Sequence, residues 1–223
     1  MKNGSKTLNI PFVDSVYRDD RIETGRLIEL GKKINIDCVN WPEAFPDDRE
    51  TAVYAAHDGV NLYLYFHCRG NDLKAEVGEN LEPVANDSCV EFFVSPDPAS
   101  KRYWNFEFNA IGTINASTRV ERPNPRRLTA NELARIKTES SVGKETFAER
   151  SGWHEWSLAV SIPLELIGIR FEGKSVAMTG NFYKCGAKTS SPHYLSWSPI
   201  VSERPDFHRR EFFGRITLES SEK

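Results

Sequence analysis

Strict alternation of apolar and polar side chains is the feature that most constrains the fold of this chain. Residues 103–110 read Tyr-Trp-Asn-Phe-Glu-Phe-Asn-Ala, so the even positions are apolar and the odd positions are largely polar. A period of two places successive side chains on opposite faces of a β-strand. The same alternation recurs over residues 60–68 and 153–162, and it predicts strands with one buried face.

Turn residues separate these segments at short intervals. Asp58-Gly59 joins the strand-like Ala52–Ala56 to residues 60–68 and predicts a hairpin, and Pro96 ends the strand predicted over residues 87–94. A polar, proline-rich loop is predicted over residues 121–132, with a short helical turn at 129–134. The other predicted strands are Ile114–Val120, Ala134–Ser141, Val176–Lys184, Tyr194–Trp197 and Phe212–Leu218.

About ten short strands without a long amphipathic helix predict an all-β fold. We expect a two-sheet antiparallel β-sandwich of the immunoglobulin-like or jelly-roll-like kind, formed by residues 1–223 as one domain. Hydrophobic residues make up 39% of the chain, which is enough to form a core between two sheets.

Charge and apolar patterning exclude several classes of partner. The net charge of −3 argues against a nucleic-acid surface, and no apolar run is long enough to predict a membrane span. No signal peptide is predicted at the N-terminus, so the compartment stays open between the cytoplasm and a mature secreted form. The four cysteines have no metal-binding spacing, so we expect free thiols and no metal site.

The ordered motifs of the chain resemble the family 9 carbohydrate-binding modules, of the kind appended to bacterial xylanases, and the wider DOMON-like sandwiches. The similarity spans roughly Ile34 to Leu218. It implies non-catalytic binding of poly- or oligosaccharide ends in carbohydrate catabolism, with a glycoside hydrolase as an associated partner. The motifs are Leu62–Phe66, Asp87–Phe93, Trp153 and Trp156 leading to Ser161–Glu165, Ser196–Ser198, and Phe213–Leu218.

The family's sugar clamp aligns only in part with this chain. Members that bind cellulose or xylan hold a sugar between two tryptophan rings, whose positions correspond here to Val84 and Phe207. The glutamate of the family motif matches Glu91, whereas a sugar-binding arginine aligns near Asn105. The resemblance therefore leaves open whether Val84 and Phe207 abolish the clamp or change its ligand.

Polar side chains on two predicted strands form the first half of a candidate carbohydrate site. Asn105 and Glu107 share one strand face, and Glu91 joins them if its strand is adjacent. Amides and carboxylates can pair with sugar hydroxyls because they offer donors and acceptors side by side. The alternative is a sheet face that is solvated or whose polar groups hydrogen-bond to one another.

The loop Glu203–Arg210 forms the second half of the candidate site. We expect Phe207 to be a solvent-exposed platform, flanked by His208 and Arg209 as donors to hydroxyls or to an acidic sugar. The alternative is that Phe207 lies under the loop while the arginines pair with Glu203 and Asp206.

Two catalytic or cofactor-dependent alternatives stay open, and no catalytic residue is assigned. A glycoside hydrolase would use two of Glu91, Glu107 and Glu155. A haem-binding sandwich would pair Met178 with a histidine, for which the candidates are His67, His154 and His193. The family resemblance also implies a structural calcium ion, and its candidate ligands are Asp72, Asp87 and Asp97.

Overall fold

The computed structural model describes residues 6–121 and 123–222. The prediction of a chain without a signal peptide therefore falls partly on residues 1–5, outside the described residues. Two helices, α1 (Thr24–Leu30) and α2 (Ala130–Leu133), accompany the strands. The strands are β1 (Thr7–Ile10), β2 (Tyr17–Arg18), β3 (Arg21–Ile22), β4 (Lys32–Asn35), β5 (Cys38–Val39), β6 (Glu50–His57), β7 (Asn61–Ala75), β8 (Cys89–Ser95), β9 (Tyr103–Asn109), β10 (Ile114–Arg119), β11 (Arg126–Arg127), β12 (Lys137–Ser140), β13 (Phe147–Pro163), β14 (Val176–Gly186), β15 (His193–Ser196) and β16 (Gly214–Leu218).

Most of these strands form two sheets that pack face to face. The larger sheet has the order β1-β16-β14-β8-β9-β10-β11, with β15 and β5 attached beside β14, and the smaller has the order β12-β13-β7-β6-β4. Neighbouring strands are antiparallel except at one edge, where β1 runs parallel to β16. The predicted all-β sandwich is confirmed.

The main core lies between the two sheets and takes its side chains from the apolar phase of the alternation. Leu64 and Phe66 of β7 meet Phe106 and Phe108 of β9 in this layer, and all four are fully buried. Trp197 packs into the same core from the chain that follows β15. The predicted assignment of these residues to the core is confirmed, and it fixes which side chains of β8 and β9 face outward.

The strand lengths differ most from the predicted ones at two places. β7 continues through its polar segment as far as Ala75, and β13 begins already at Phe147, with irregular pairing between Phe147 and Trp153. The hairpin at Asp58-Gly59 is confirmed, because Asp58 Oδ1 accepts hydrogen bonds from the backbone of Val60 and Asn61. Six short strands (β1 to β5 and β11) were not predicted, because two to four residues carry no readable alternation.

The outer face of the larger sheet is covered. A second apolar cluster lies there under the segment that connects Ser198 to Phe213, and it includes Trp41, Val84, Phe93 and Tyr183. The predicted polar side chains of β8 and β9 therefore lie under a covering layer instead of facing solvent. Among the residues described here, no helix combines the length and apolar character needed to span a bilayer.

Candidate functional site

Two glutamates lie side by side beneath the covering layer. Glu91 of β8 is the direct register partner of Glu107 of β9, which confirms that the two strands are adjacent. Their relative exposures are only 3% and 8%. Because directly opposite residues on antiparallel strands point to the same face, both carboxyl groups lie on the outer side of the larger sheet.

The carboxyl group of Glu91 contacts thiols. The Cys185 thiol donates to Glu91 Oε1 at 3.1 Å, and Cys89 Sγ lies 3.9 Å from the same oxygen. Burial, followed by the neighbouring Cys185 and Glu107, raises the pKa of Glu91 well above its ordinary value. Glu91 is therefore inclined to hold its proton and to act as a hydrogen-bond donor.

The carboxyl group of Glu107 contacts amides. Asn105 Nδ2 donates to Oε1 at 2.9 Å, and Asn115 Nδ2 donates to Oε2 at 2.9 Å. Ser117 in turn donates to Asn105 Oδ1 at 2.7 Å. Burial raises the pKa of Glu107, while the hydrogen bonds from Asn115 and Asn105 act in the opposite direction. Asn105 is fully buried, so its part in the site is to orient Glu107.

Phe207 is not the exposed platform that the sequence predicted. Its ring is only 9% exposed and stacks on Tyr183, with the ring centroids 4.2 Å apart and the planes 10° apart. The Tyr183 hydroxyl also donates to the Phe207 carbonyl at 3.1 Å. An aromatic ring gains more by burying both faces than by leaving one in water. The part of the alternative that places Phe207 under the loop is therefore correct, whereas Arg209 pairs with Glu211.

The two residues that follow Phe207 diverge. His208 Nδ1 lies 3.0 Å from the Tyr103 hydroxyl, and the His208 ring packs against Phe93 with centroids 4.9 Å apart. Arg209 instead pairs with Glu211 at 2.7 Å. The two side chains therefore separate, with His208 directed toward the sheet.

These groups surround a small open pocket of about 220 Å³. Four of the six predicted site residues line it, namely Glu91, Glu107, Phe207 and His208, whereas Asn105 and Arg209 do not. Its lining combines polar groups with aromatic rings. The remaining lining residues, which sequence reasoning did not select, are Ala85, Phe93, Cys185, Tyr194, Pro205 and Asp206.

The missed residues carried little signal in the sequence. Tyr194 lies on β15, which pairs with β14, so Tyr194 is the register partner of Cys185. This pairing could not be read from spacing, because β15 follows a turn whose length does not fix the register. Phe93 lies two residues after Glu91 on β8, so the period of two could have placed both side chains on the same face.

The other candidates lie elsewhere in the fold. Val84 is fully buried in the outer cluster and offers no ring or exposed surface to a ligand. Glu155 is on β13 of the smaller sheet, where it pairs with His67 at 2.9 Å. Met178 is packed in the main core, as predicted.

The calcium hypothesis stays a prediction. Asp87 is buried, and its Oδ2 accepts hydrogen bonds from Val77 and Asn109 at 2.9 and 3.0 Å. Asp97 Oδ1 accepts a hydrogen bond from the backbone of Ala99 at 2.9 Å in the turn that follows β8.

The fold and the pocket together define a β-sandwich ligand-binding module. The family model described as "Carbohydrate-binding family 9" matches residues 27–218, most of the chain. The chain belongs to this family, and its function is non-catalytic carbohydrate binding. None of the curated proteins matches the chain.

Solved structures agree with this assignment. A protein from Bacteroides uniformis, for which carbohydrate binding has been proposed, shares 32% identity over 97% of this chain and 100% of its own, with a TM-score of 0.88. A family 9 module from Caldicellulosiruptor kristjanssonii in complex with cellotriose shares the fold at 10% identity, with a TM-score of 0.60 over 98% of this chain and 96% of its own. A family 9 module from the same organism in complex with glucose also shares the fold at 10% identity, with a TM-score of 0.59 over 98% of each chain.

Proposed function

We propose that this chain binds the end of an oligo- or polysaccharide in the pocket between Glu91, Glu107, Phe207 and His208. The observation that carries the proposal is the convergence of these four residues, from two strands and a loop, on one opening. A sugar needs paired donors and acceptors for its hydroxyls and an apolar ring for its C–H groups. The pocket offers both kinds of group.

The two glutamates that line the pocket are suited to adjacent sugar hydroxyls. Glu91, inclined to stay protonated, can donate to one hydroxyl, while Glu107, held by two amides, accepts from the next. The apolar contact comes from Tyr194, which is half-buried, and from Phe207 and His208. A sugar would therefore contact these rings without the family's two-tryptophan clamp.

The size of the pocket supports binding at a chain end. Its volume of about 220 Å³ lies below the roughly 300–1,000 Å³ that is typical of pockets for drug-sized ligands. One sugar ring is the largest unit that such a space suits, so further units would project into solvent. The Caldicellulosiruptor kristjanssonii complexes contain cellotriose and glucose, which differ in length but share a terminal ring.

The proposal is tested by filling the pocket. A glycan array first identifies the ligand, and calorimetry then compares wild type with Ala85→Phe, which places a ring in the pocket without removing a polar partner. We expect binding to be lost. The matched control is Ala99→Phe, in the exposed turn that follows β8, which should bind as wild type does. Equal affinity for all three proteins would overturn the proposed location.

We also propose that a glycoside hydrolase is the partner that benefits from this binding. A bound module raises the local concentration of an attached or associated enzyme at its substrate without adding catalytic contacts. A hydrolase fused to this chain should degrade the polysaccharide that carries the recognised end faster than the same hydrolase fused to Ala85→Phe. Equal rates for the two fusions would contradict the partnership.

A further inference from the structure

A cluster of metal-ligating atoms lies at the base of the pocket. Cys89 of β8 and Cys185 of β14 are direct register partners on adjacent antiparallel strands. Their sulfur atoms and a carboxylate oxygen of Glu91 all lie within 4.8 Å of one another. Each of the three residues is at most 3% exposed. Within the described part of the chain, these three side chains form the one group of cysteine, histidine and acidic residues whose ligand atoms are close enough to bind the same metal ion.

The two distances from the Glu91 carboxylate to the sulfur atoms are close to those of a tetrahedral zinc site. Zinc binds sulfur at about 2.3 Å and oxygen at about 2.0–2.2 Å, so tetrahedral ligand atoms lie about 3.5–3.8 Å apart. Glu91 Oε1 lies 3.1 Å from Cys185 Sγ and 3.9 Å from Cys89 Sγ. Adjustments of a few tenths of an ångström along these edges bring the atoms to ligand spacing.

We propose that Cys89, Glu91 and Cys185 bind a thiophilic divalent cation, with Zn²⁺ the best match to a set of two sulfurs and one oxygen. Each cysteine releases its proton to solvent as its thiolate binds the ion, and Glu91 releases its proton in the same way. The two thiolates and the carboxylate carry three negative charges against two positive ones. Thiolate ligands select Zn²⁺ over Mg²⁺ and Ca²⁺, which prefer oxygen.

The pocket gives the ion a path to the cluster. Glu91 and Cys185 line the pocket, whereas Cys89 is fully buried and does not line it. The side of the cluster formed by Glu91 and Cys185 therefore borders the opening, and a water molecule or another oxygen ligand can complete the coordination there. This accessibility distinguishes the cluster from Cys68, which is buried in the core between the sheets.

Such a site could not be recognised in the sequence, because its ligands come from two strands. Metal sites are recognised in sequences by short cysteine spacings, whereas Cys89 and Cys185 are brought together only by the pairing of β8 with β14. Our sequence-based expectation that no metal is bound rested on spacing alone, and the strand register gives reason to revise it.

Cobalt titration tests the proposal. The reduced, metal-free protein is titrated with Co²⁺, and the expected result is a thiolate-to-cobalt charge-transfer band that saturates at one equivalent and is abolished by Zn²⁺. In weak buffer, cobalt binding should release one proton from each cysteine and one from Glu91. Cys89→Ser and Cys185→Ser should lose the band, and Glu91→Gln should weaken cobalt binding at least tenfold.

The matched control is Cys68→Ser, which removes an equally buried thiol outside the cluster and should keep the band. Near-ultraviolet circular dichroism shows whether each variant is folded. If the serine variants do not fold, X-ray absorption at the zinc edge of the wild-type protein gives the answer without them, with two sulfur ligands expected. Absence of the band, or a zinc shell of nitrogen and oxygen alone, would overturn the proposal.

Discussion

Glu91 and Glu107 are direct cross-strand partners on β8 and β9, yet their carboxyl groups contact different kinds of side chain. The first contacts the thiols of Cys89 and Cys185, and the second accepts two amide hydrogen bonds. Two like charges so close together and so well buried would repel, and the raised pKa of Glu91 relieves this by favouring its protonated form. In the metal-free protein the pair therefore offers a donor next to an acceptor, as the proposed sugar site requires, and a bound ion would take the place of the Glu91 proton.

Removing the Glu107 carboxyl group should destabilise the fold. Glu107→Ala leaves the buried amide of Asn105 and the half-buried amide of Asn115 without their acceptor, and we expect the free energy of unfolding to fall by about 1–3 kcal/mol. Urea denaturation measures the loss. Glu203→Ala, at an exposed loop position, should change the stability by no more than about 0.5 kcal/mol. A similarly small effect for Glu107→Ala would show that the amide network is not needed for stability.

Phe207 should behave as a core residue in spite of lining the pocket. Phe207→Ala removes the ring stacked on Tyr183, and we expect it to cost about 3–5 kcal/mol of folding free energy. Phe207→Leu retains most of the apolar volume and should cost less. Thermal unfolding distinguishes this account from an exposed platform, for which both substitutions would leave the melting temperature nearly unchanged.

His193 should make the fold sensitive to mild acid. It is fully buried, its Nε2 lies 2.6 Å from Lys184 Nζ, and burial, with the nearby Lys184 and Arg49, lowers the pKa of His193 well below 6.5. Below about pH 6.5, His193 therefore binds a proton in the unfolded chain but not in the folded chain. The stability of the fold falls as the pH decreases below that value. The raised pKa of Glu91 acts in the opposite direction, because it favours the folded state as the pH falls.

His193→Gln isolates the histidine contribution from that of Glu91. The difference in unfolding free energy between wild type and variant should change by at most about 1.4 kcal/mol per pH unit between pH 6.5 and 5, with the wild type losing more. Denaturant titrations at several pH values give the slopes. Ala99→Gln, in the exposed turn that follows β8, changes no titratable group and should keep the wild-type slope. Parallel curves for wild type and His193→Gln would contradict the prediction.

The glycine of the Phe213-Gly214 motif should be required for packing. A Cβ atom at Gly214 would collide with the Trp197 ring and with the Lys6 carbonyl, so Gly214→Ala should lower the stability by about 1–3 kcal/mol. Gly25→Ala is the control, because a Cβ atom there meets no neighbour within 4 Å. If Gly214→Ala has the same melting temperature as the wild type, the Trp197 ring has more room than the structure shows.

The sequence predicted the layers of the fold better than it predicted the surroundings of the site. Alternation assigned Phe106 and Phe108 to the core and placed Asn105 and Glu107 on the opposite face, and both assignments are correct. Alternation reports which face a side chain occupies, but it cannot report what covers that face. The covering segment that holds Phe207 has no periodicity, so its burial against Tyr183 depends on tertiary contacts alone.

Cross-strand register explains the remaining gap. The proximity of Cys185 to Glu91, and of Tyr194 to the pocket, follows from the pairing of β14 with β8 and with β15. Residues about a hundred positions apart meet in this way, and no local spacing encodes the meeting. The adjacency of Glu91 and Glu107 was easier to anticipate, because β8 and β9 are consecutive strands joined by a turn.

The most direct test of the account compares two neighbouring side chains by calorimetry. His208 lines the pocket and Arg209, paired with Glu211, does not. With the glycan identified on the array, His208→Ala should weaken binding at least tenfold, about 1.4 kcal/mol, while Arg209→Ala should stay within twofold of wild type. Unchanged affinity for His208→Ala, or a larger loss for Arg209→Ala, would contradict the claim that the sugar end occupies this pocket.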